Sequence, residues 1–351
     1  MHRITQDAER VRAPADQEFP ENDQHVHDED PAKSALDFFP IARYGEKRFP
    51  QRAPLPLRLL PLSSHFFEYR RWGGKIQSAR ALRVAPLDGA KPRMAVLCGV
   101  GGMMREIVYW YDSVTSTNDV ARELAEAGAE EGTTVVAAEQ TAGRGRYARR
   151  WHSPKGEGLY HSIILRPSAP PSRAPLLGLI AAVALAETLR EDYGVVADIK
   201  WPNDVMIGGR KVAGILMELE TEDDRVKYVV LGVGVNINQA SFPEEIADVA
   251  TSLRRETGMI YDVERFRHRL FVRLQRWYEA WRAEGEAHVL ERYEQLSSYV
   301  RGQQVSVLCG ERRVRGRSRG LAPTGALLVE TEDGRQEAIL TGEVTKLEVV
   351  S

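Results

Sequence analysis

Residues 198–237 decide the fold: DIKWPNDVMI (198–207), the turn Gly208-Gly209-Arg210, KVAGILMELE (211–220) and KYVVLGVGVNI (227–237). These short runs, rich in Val and Ile and bounded by Gly, Asn and Asp, read as three strands joined by tight turns. Lys200 and Trp201 end a strand, and Pro202 fixes a turn that projects Asn203 and Asp204. A buried or half-buried lysine at such a turn is costly without an anionic partner. Lys211 and the Gly-rich strand end Gly232–Asn238 follow, so cations from different strand ends would converge on one mouth.

Upstream, IVYWYDSV (107–114) reads as a strand, and Thr117 or Asn118 can cap the helix DVARELAEAGA (119–129). TTVVAAEQ (133–140) and LYHSIILRP (159–167) read as buried strands. APLLGLIAAVALAETLREDYG (174–194) reads as a core helix closed by Gly194. Downstream, residues 264–285 form a helix with Phe266, Leu270, Val272, Leu274, Trp277, Tyr278 and Trp281 on one broad face, a core stripe. VSVLCG, RRVRGRSRGL, ALLVETEDG and RQEAILTGEV (305–344) are short strands with Gly turns near every ten residues, the pattern of a small β-barrel. The elements therefore read as strands interleaved with helices over 105–298, an α/β (α+β) class, and as a small β-barrel over 299–351. Residues 1–104 are rich in Pro, Arg, Asp and His without sustained periodicity, and read as an irregular or disordered extension. A translation start at Met103 or Met104 is the alternative reading of that stretch.

Composition bounds the function. Of the 351 residues, 43% are apolar and 28% charged, enough for a substantial core. A net charge of −2 argues against a general polyanion binder. The two cysteines, Cys98 and Cys309, have no metal-site spacing and suit a reducing cytoplasm. No secretory signal or spanning segment is legible, so no membrane partner is expected.

The chemistry concentrates in Gly143-Arg144-Gly145-Arg146, extended by Arg149, Arg150 and Trp151. Glycine lets backbone approach a ligand, and arginine supplies bidentate donors for phosphate or carboxylate. Alone, that loop equally fits a solvated basic turn or a nucleic-acid contact. No Walker motif is present, and Gly232–Asn238 lacks the helix and acidic residue of a dinucleotide fingerprint. No Ser-His-Asp or Cys-His set is evident; His152 and His161 read as ordinary loop and strand residues. The arginines at 312, 313, 315, 317 and 319 read as a solvated edge strand, or else as a dock for an acidic acceptor domain or ATP.

STN (116–118), EQTAGRGRYARRW (139–151), KWPND (200–204), KVAGIL (211–216) and GVGVNIN (232–238), in that order, resemble the biotin–protein ligase family over about residues 107–350. The resemblance implies a class II synthetase-like α/β (α+β) domain with a central mixed sheet, and a C-terminal SH3-like β-barrel. It implies ATP-dependent conversion of biotin to biotinyl-5′-AMP, then transfer to a lysine of a biotin carboxyl carrier protein, with ATP and Mg²⁺ as cofactors. It places Ser116, Thr117, Asn118 and Gln140 along biotin, and Arg144, Gly145 and Arg146 in a loop closing over biotin and the adenylate phosphate. Arg149 falls to the triphosphate or acceptor, and Trp151 to adenine. Lys200 falls to the biotin carboxylate or phosphate oxygens, and Lys211 to the phosphates as a second cation. Asn203, Asp204 and the asparagines of GVGVNIN, Asn236 and Asn238, fall to the adenylate and Mg²⁺ region, with no side-chain metal cage. Joining a carboxylate to an α-phosphate brings two anions together, and Arg144, Lys200 and Lys211 are the catalytic candidates that screen them.

Two features depart from the family. Ala148 stands where a glycine is usual, after Tyr147, and the winged helix-turn-helix of the repressor-type members is not legible in 1–104. The implied enzyme is monofunctional, without operator or other nucleic-acid binding, and a homodimer is an open expectation. The other readings are a lipoate ligase, disfavoured by the polar STN and Gln140, and a nucleic-acid binder, disfavoured by charge.

Overall fold

The computed structural model describes residues 92–97 and 104–347. The expectations for most of 1–104 (irregular extension, alternative start, missing reader helix) lie outside the described residues, as does Cys98.

The sheet has eight strands: β1 (Arg93–Leu97), β2 (Glu106–Tyr111), β3 (Thr133–Ala137), β4 (Gly158–Leu165), β5 (Ala197–Lys200), β6 (Asp204–Ile207), β7 (Arg210–Glu222) and β8 (Arg225–Asn236). Their order is β1-β2-β3-β4-β8-β7-β6-β5. Only β2 and β3 pair in parallel, with helix α1 (Thr117–Glu126) as their crossover, so the sheet is mixed as expected.

The strand β1 falls inside the stretch read as irregular. RMAVL is too short to display periodicity among Pro and Gly neighbours, but the free edge of β2 supplies its ladder, from Arg93 opposite Trp110 to Leu97 opposite Glu106. A chain begun at Met103 would leave β2 as the sheet edge. DIKWPNDVMI is likewise two strands rather than one. β5 and β6 form an antiparallel hairpin around Trp201-Pro202-Asn203, with Lys200 opposite Asp204.

One face of the sheet carries α2 (Pro175–Glu187), α4 (Val263–Glu284) and α5 (Ala287–Leu296); the short α3 (Leu253–Thr257) follows β8. The helix α2 is apolar all round and buried, which marks a core helix, and its last turn widens over Thr188–Asp192 before Gly194 at φ 69°. Its extended span is long and apolar enough to cross a bilayer, but 78% of it is buried in the protein. On α4 the buried stripe is Phe266, Arg267, Leu270, Phe271, Leu274, Gln275, Tyr278 and Trp281. The expected Val272 is 40% exposed, because a 3.6-residue repeat through 266, 270, 274 and 278 turns position 272 outward. Trp277 is half-buried, its Nε1 donating to Glu187 Oε2 at 2.9 Å.

The other face carries α1, whose Val120, Ala121, Leu124 and Ala125 pack on Val135, Ile164 and Val230. Neither Thr117 nor Asn118 caps this helix. Ser116 holds the N-cap position without a side-chain bond, and Gln140 Oε1 accepts from the Thr117 N–H at 2.9 Å instead.

The C-terminal residues form five antiparallel strands, β9 (Arg301–Cys309), β10 (Arg312–Leu321), β11 (Leu327–Thr331), β12 (Gln336–Ile339) and β13 (Glu343–Lys346), in the order β12-β11-β10-β9-β13. RQEAILTGEV is thus two strands. The five arginines of β10 are exposed, those at 313, 315, 317 and 319 alternating with buried residues, and Arg312 pairs Glu337 at 2.6 Å while Arg319 pairs Glu330. The buried Trp201 ties this domain to the large sheet, its Nε1 donating to Gly325 O at 3.1 Å.

Candidate functional site

Facing residues of β4 and β8 change along the α1 side of the sheet. Ile164 and Val230 lie beneath the helix; Ser162 opposite Gly232 lies against its first turn at Thr117 and Asn118, and Tyr160 opposite Gly234 follows along the strands. Large apolar pairs support α1, and small residues open a hollow where the helix ends. Gly214 of β7 sits directly opposite Gly234, and the Trp151 indole lies on this two-glycine floor. A Cβ at Gly234 would come within 2.6 Å of the indole Cε2 and Nε1, so no side chain fits. Lys211 Nζ stands 5.4 Å from the centre of the same ring.

Two adjoining cavities meet at this indole. The smaller, about 470 Å³, is lined by Ser116, Thr117, Asn118, Gln140, Arg144 and Leu216 among others. The larger, about 1180 Å³, includes Arg149, Lys200, Asp204, Asn236, Phe242 and Glu343. Gly145, Arg146, Trp151, Asn203 and Lys211 line both. The structure therefore brings the sequence-selected site residues to one pair of connected hollows, except Asn238, whose side-chain amide is instead bonded to the Tyr261 backbone. Lys200 borders only the larger one, and Lys211, expected at the phosphates, stands at the junction.

The polar end of the smaller cavity is held by protein. Asn118 Nδ2 donates to Leu216 O (3.3 Å) and Glu218 Oε2 (3.2 Å), and its Oδ1 accepts from Ser162 Oγ at 2.7 Å. Gln140 accepts from Thr117 and donates to Ser153 Oγ at 3.0 Å. Ser116, 3% exposed, makes no side-chain hydrogen bond among the described residues.

The loop folds across both cavities and is moored at each end. Arg144 reaches Asp119 (2.8 Å) and Glu218 (2.9 Å). Arg146 donates to Asn203 Oδ1 (2.7 Å), Gly342 O (3.2 Å) and Thr341 Oγ1 (2.5 Å), and Arg149 pairs Glu343 at 2.6 Å. Between these moorings Tyr147 and Ala148 both lie at φ 57°, the left-handed region that favours glycine. The alanine in place of the family's glycine is thus a strained position as well as an added methyl.

Five cations, Arg146, Arg149, Arg150, Lys200 and Lys211, face the larger cavity against two carboxylates, Asp204 and Glu343. Lys211 Nζ is 2.6 Å from Asp204, and Arg149 pairs Glu343; Lys200 has no carboxylate partner among the described residues. The larger hollow is therefore lined by more cations than carboxylates, with Lys200 as an uncommitted lysine. The donor set fits a divalent ion carried mainly by its phosphates: Asp204 offers a carboxylate oxygen, and no group of three or more acidic, His or Cys side chains able to hold a metal occurs among the described residues.

Sequence reading missed Asp119, Ser162, Glu218, Phe242 and Glu343, each bound to the site by contacts from distant segments. The alternation of glycines at 232 and 234 with buried Val233 and Val235 was a usable signal for a bare sheet floor. His161 faces the opposite side, toward Arg267 of α4. It is 1% exposed, and burial followed by the nearby Arg267 lowers its pKa to about 3, so the ring stays neutral, although the residue borders the smaller cavity. His152 packs edge-on against Phe242, 6.4 Å between ring centres.

Residues 110–236 match the biotin/lipoate A/B protein ligase family, and residues 301–347 match the biotin protein ligase C terminal domain. The bifunctional ligase/repressor BirA of Bacillus subtilis is 35% identical over 275 residues, 77% of this chain and 84% of that protein. The biotin–[acetyl-CoA-carboxylase] ligase of Paracoccus denitrificans is 34% identical over 226 residues, 63% of this chain and 93% of that protein. The solved biotin protein ligase from Aquifex aeolicus in complex with biotin and ATP superposes with a TM-score of 0.59 at 32% identity, covering 69% of this chain and 99% of that one. With both domains matched and the large sheet and C-terminal antiparallel sheet in place, the chain belongs to the biotin protein ligase family.

Proposed function

We propose that this chain activates biotin with ATP to biotinyl-5′-AMP and transfers the biotin to a lysine of a biotin carboxyl carrier protein, releasing AMP and diphosphate. The observation that carries the reading is the pair of connected cavities, a small polar-ended one and a large cationic one, joined at Trp151, Lys211 and Arg146. Biotin takes the smaller cavity, with Ser116 and Thr117 at its polar ring and Asn118 and Gln140 shaping that end. Its carboxylate reaches the junction at Lys211, where the α-phosphate arrives from the larger side. Lys200 and Arg149 hold the polyphosphate, Arg146 and Gly145 close over the anhydride, and Asn203 and Asn236 shape the adenylate end. Trp151 offers its indole as the shared wall against which adenine or biotin packs. Lys211, Lys200, Arg146 and Arg149 lower the repulsion between carboxylate and phosphate as the new bond forms. Mg²⁺ enters with ATP, where Asp204 would hold it, and supplies further charge neutralisation. The second step needs positioning and exclusion of water, since the mixed anhydride already reacts with an amine.

The remaining parts of the reading are a catalytic domain over 105–298, an SH3-like barrel over 299–351, and a ligase without operator binding that works in the cytoplasm, away from membranes and open to homodimer formation. The test is ATP- and Mg²⁺-dependent transfer of labelled biotin to a carrier domain, with lipoate and duplex DNA as competitors. Transfer of lipoate instead of biotin overturns the substrate, and salt-sensitive DNA binding overturns the monofunctional reading.

A further inference from the structure

The Arg144 guanidinium, which the sequence assigns to the reacting anions, is occupied. Asp119, in the first turn of α1, holds its Nη1 through both carboxylate oxygens at 2.8 and 3.1 Å, and Glu218 on β7 holds its Nη2 at 2.9 Å. Glu218 is bidentate in a second sense: its other oxygen accepts from Asn118 Nδ2 at 3.2 Å. With Leu216 O and Ser162 Oγ, this uses both amide hydrogens and the carbonyl of Asn118, which is 2% exposed. Gly232 makes the arrangement possible, since a Cβ there would lie 2.2 Å from Asn118 Oδ1. One carboxylate therefore touches both the wall of the smaller cavity and the loop that covers it.

We propose that Glu218 and Asp119 are positioning residues that latch the loop over the smaller cavity through Arg144, Glu218 also fixing the Asn118 amide. Arg144 then acts through the latch rather than on phosphate, and Asn118 shapes the pocket instead of bonding the ligand. This inference rests on the ligase reading, because the latch matters when an adenylate must be kept beneath the loop. The side chains are 22–37% exposed, so each ion pair is modest and salt-sensitive, and two acting on one guanidinium suit a latch that must also open.

The experiment forms the adenylate from labelled biotin and ATP without acceptor, then follows its release into excess unlabelled biotin. Asp119→Asn is expected to speed release about threefold and Glu218→Gln about five- to tenfold, the latter also raising the KM for biotin because its amide meets the Asn118 amide donor to donor. Raising salt from about 0.1 M to about 1 M, which cuts the screening length from about 10 Å to about 3 Å, should speed release from wild type more than from the double variant, which keeps only the Arg149–Glu343 ion pair of the loop. Thermal melts of each variant separate unfolding from unlatching, and Asp119→Asn, at a half-exposed helix turn, keeps the test available if Glu218→Gln unfolds. Release at the wild-type rate with its salt dependence intact overturns the latch while leaving the ligase reading standing. Failure of wild type to form any adenylate overturns both.

Discussion

Replacing Gly234 by alanine tests the sheet floor. The added Cβ would sit 2.6 Å from the Trp151 Cε2 and Nε1 and 3.0 Å from Cζ2, against ordinary carbon contacts of about 3.5–4.0 Å. The indole must lift by about 1 Å, or the β8 backbone must give. The backbone is paired on both sides, to Tyr160 of β4 and Gly214 of β7, whereas the indole Nε1 has no hydrogen-bond partner. The ring is therefore the softer element and moves into the cavities it lines. Overpacking of this kind costs about 1–3 kcal/mol, and if the ring absorbs it, biotin and ATP bind about 5- to 150-fold more weakly with little change in melting temperature. Calorimetric titration with each ligand measures the loss. A double-mutant cycle with Trp151→Ala identifies its cause, since without the indole the extra methyl should cost almost nothing. Costs that add within about 0.5 kcal/mol in the double variant would refute the clash and the role of the glycine floor.

Ala148→Gly removes a left-handed strain of about 1–2 kcal/mol and should lengthen adenylate retention by a few fold, part of the gain being lost to the freedom of the open loop. Ala148→Val should shorten retention about tenfold; equal retention by both variants would mean that the loop does not hold this conformation over the ligand. Arg146→Gly, which frees the loop from Asn203, Thr341 and Gly342, should release the adenylate to label nearby lysines indiscriminately, read by mass spectrometry of a bystander protein. His161→Leu tests the buried histidine. Its folded pKa of about 3 lies below the unfolded value near 6.5, so the unfolded chain alone takes up this proton as pH falls. Wild type loses about 2 kcal/mol from this source between pH 6.5 and pH 5, and the variant does not. Burial pushes the Glu106 carboxyl up to about 7, which opposes that loss on acidification in both proteins, so the difference between their profiles reads the histidine. Parallel melting profiles for the two proteins would show that His161 does not carry that difference.

Sequence alone determined the elements whose information is local. Alternating Val and Ile against Gly and Asn set the strands, the apolar repeat set α2 and α4, and the five motifs with their order identified the family and selected the residues that meet at the cavities. What was not legible depended on partners distant in the chain. RMAVL becomes β1 only because β2 offers an unpaired edge, and Val272 turns outward only once the helix phase is fixed by what α4 packs against. The charge state of the loop is the clearest case. The motif shows two arginines, yet whether either is free for an anion depends on Asp119, Glu218, Thr341 and Gly342, between 25 and 196 residues away in sequence. Residue type fixes what a guanidinium can bind; only the tertiary structure decides which carboxylate reaches it first, because that is a matter of distance in space.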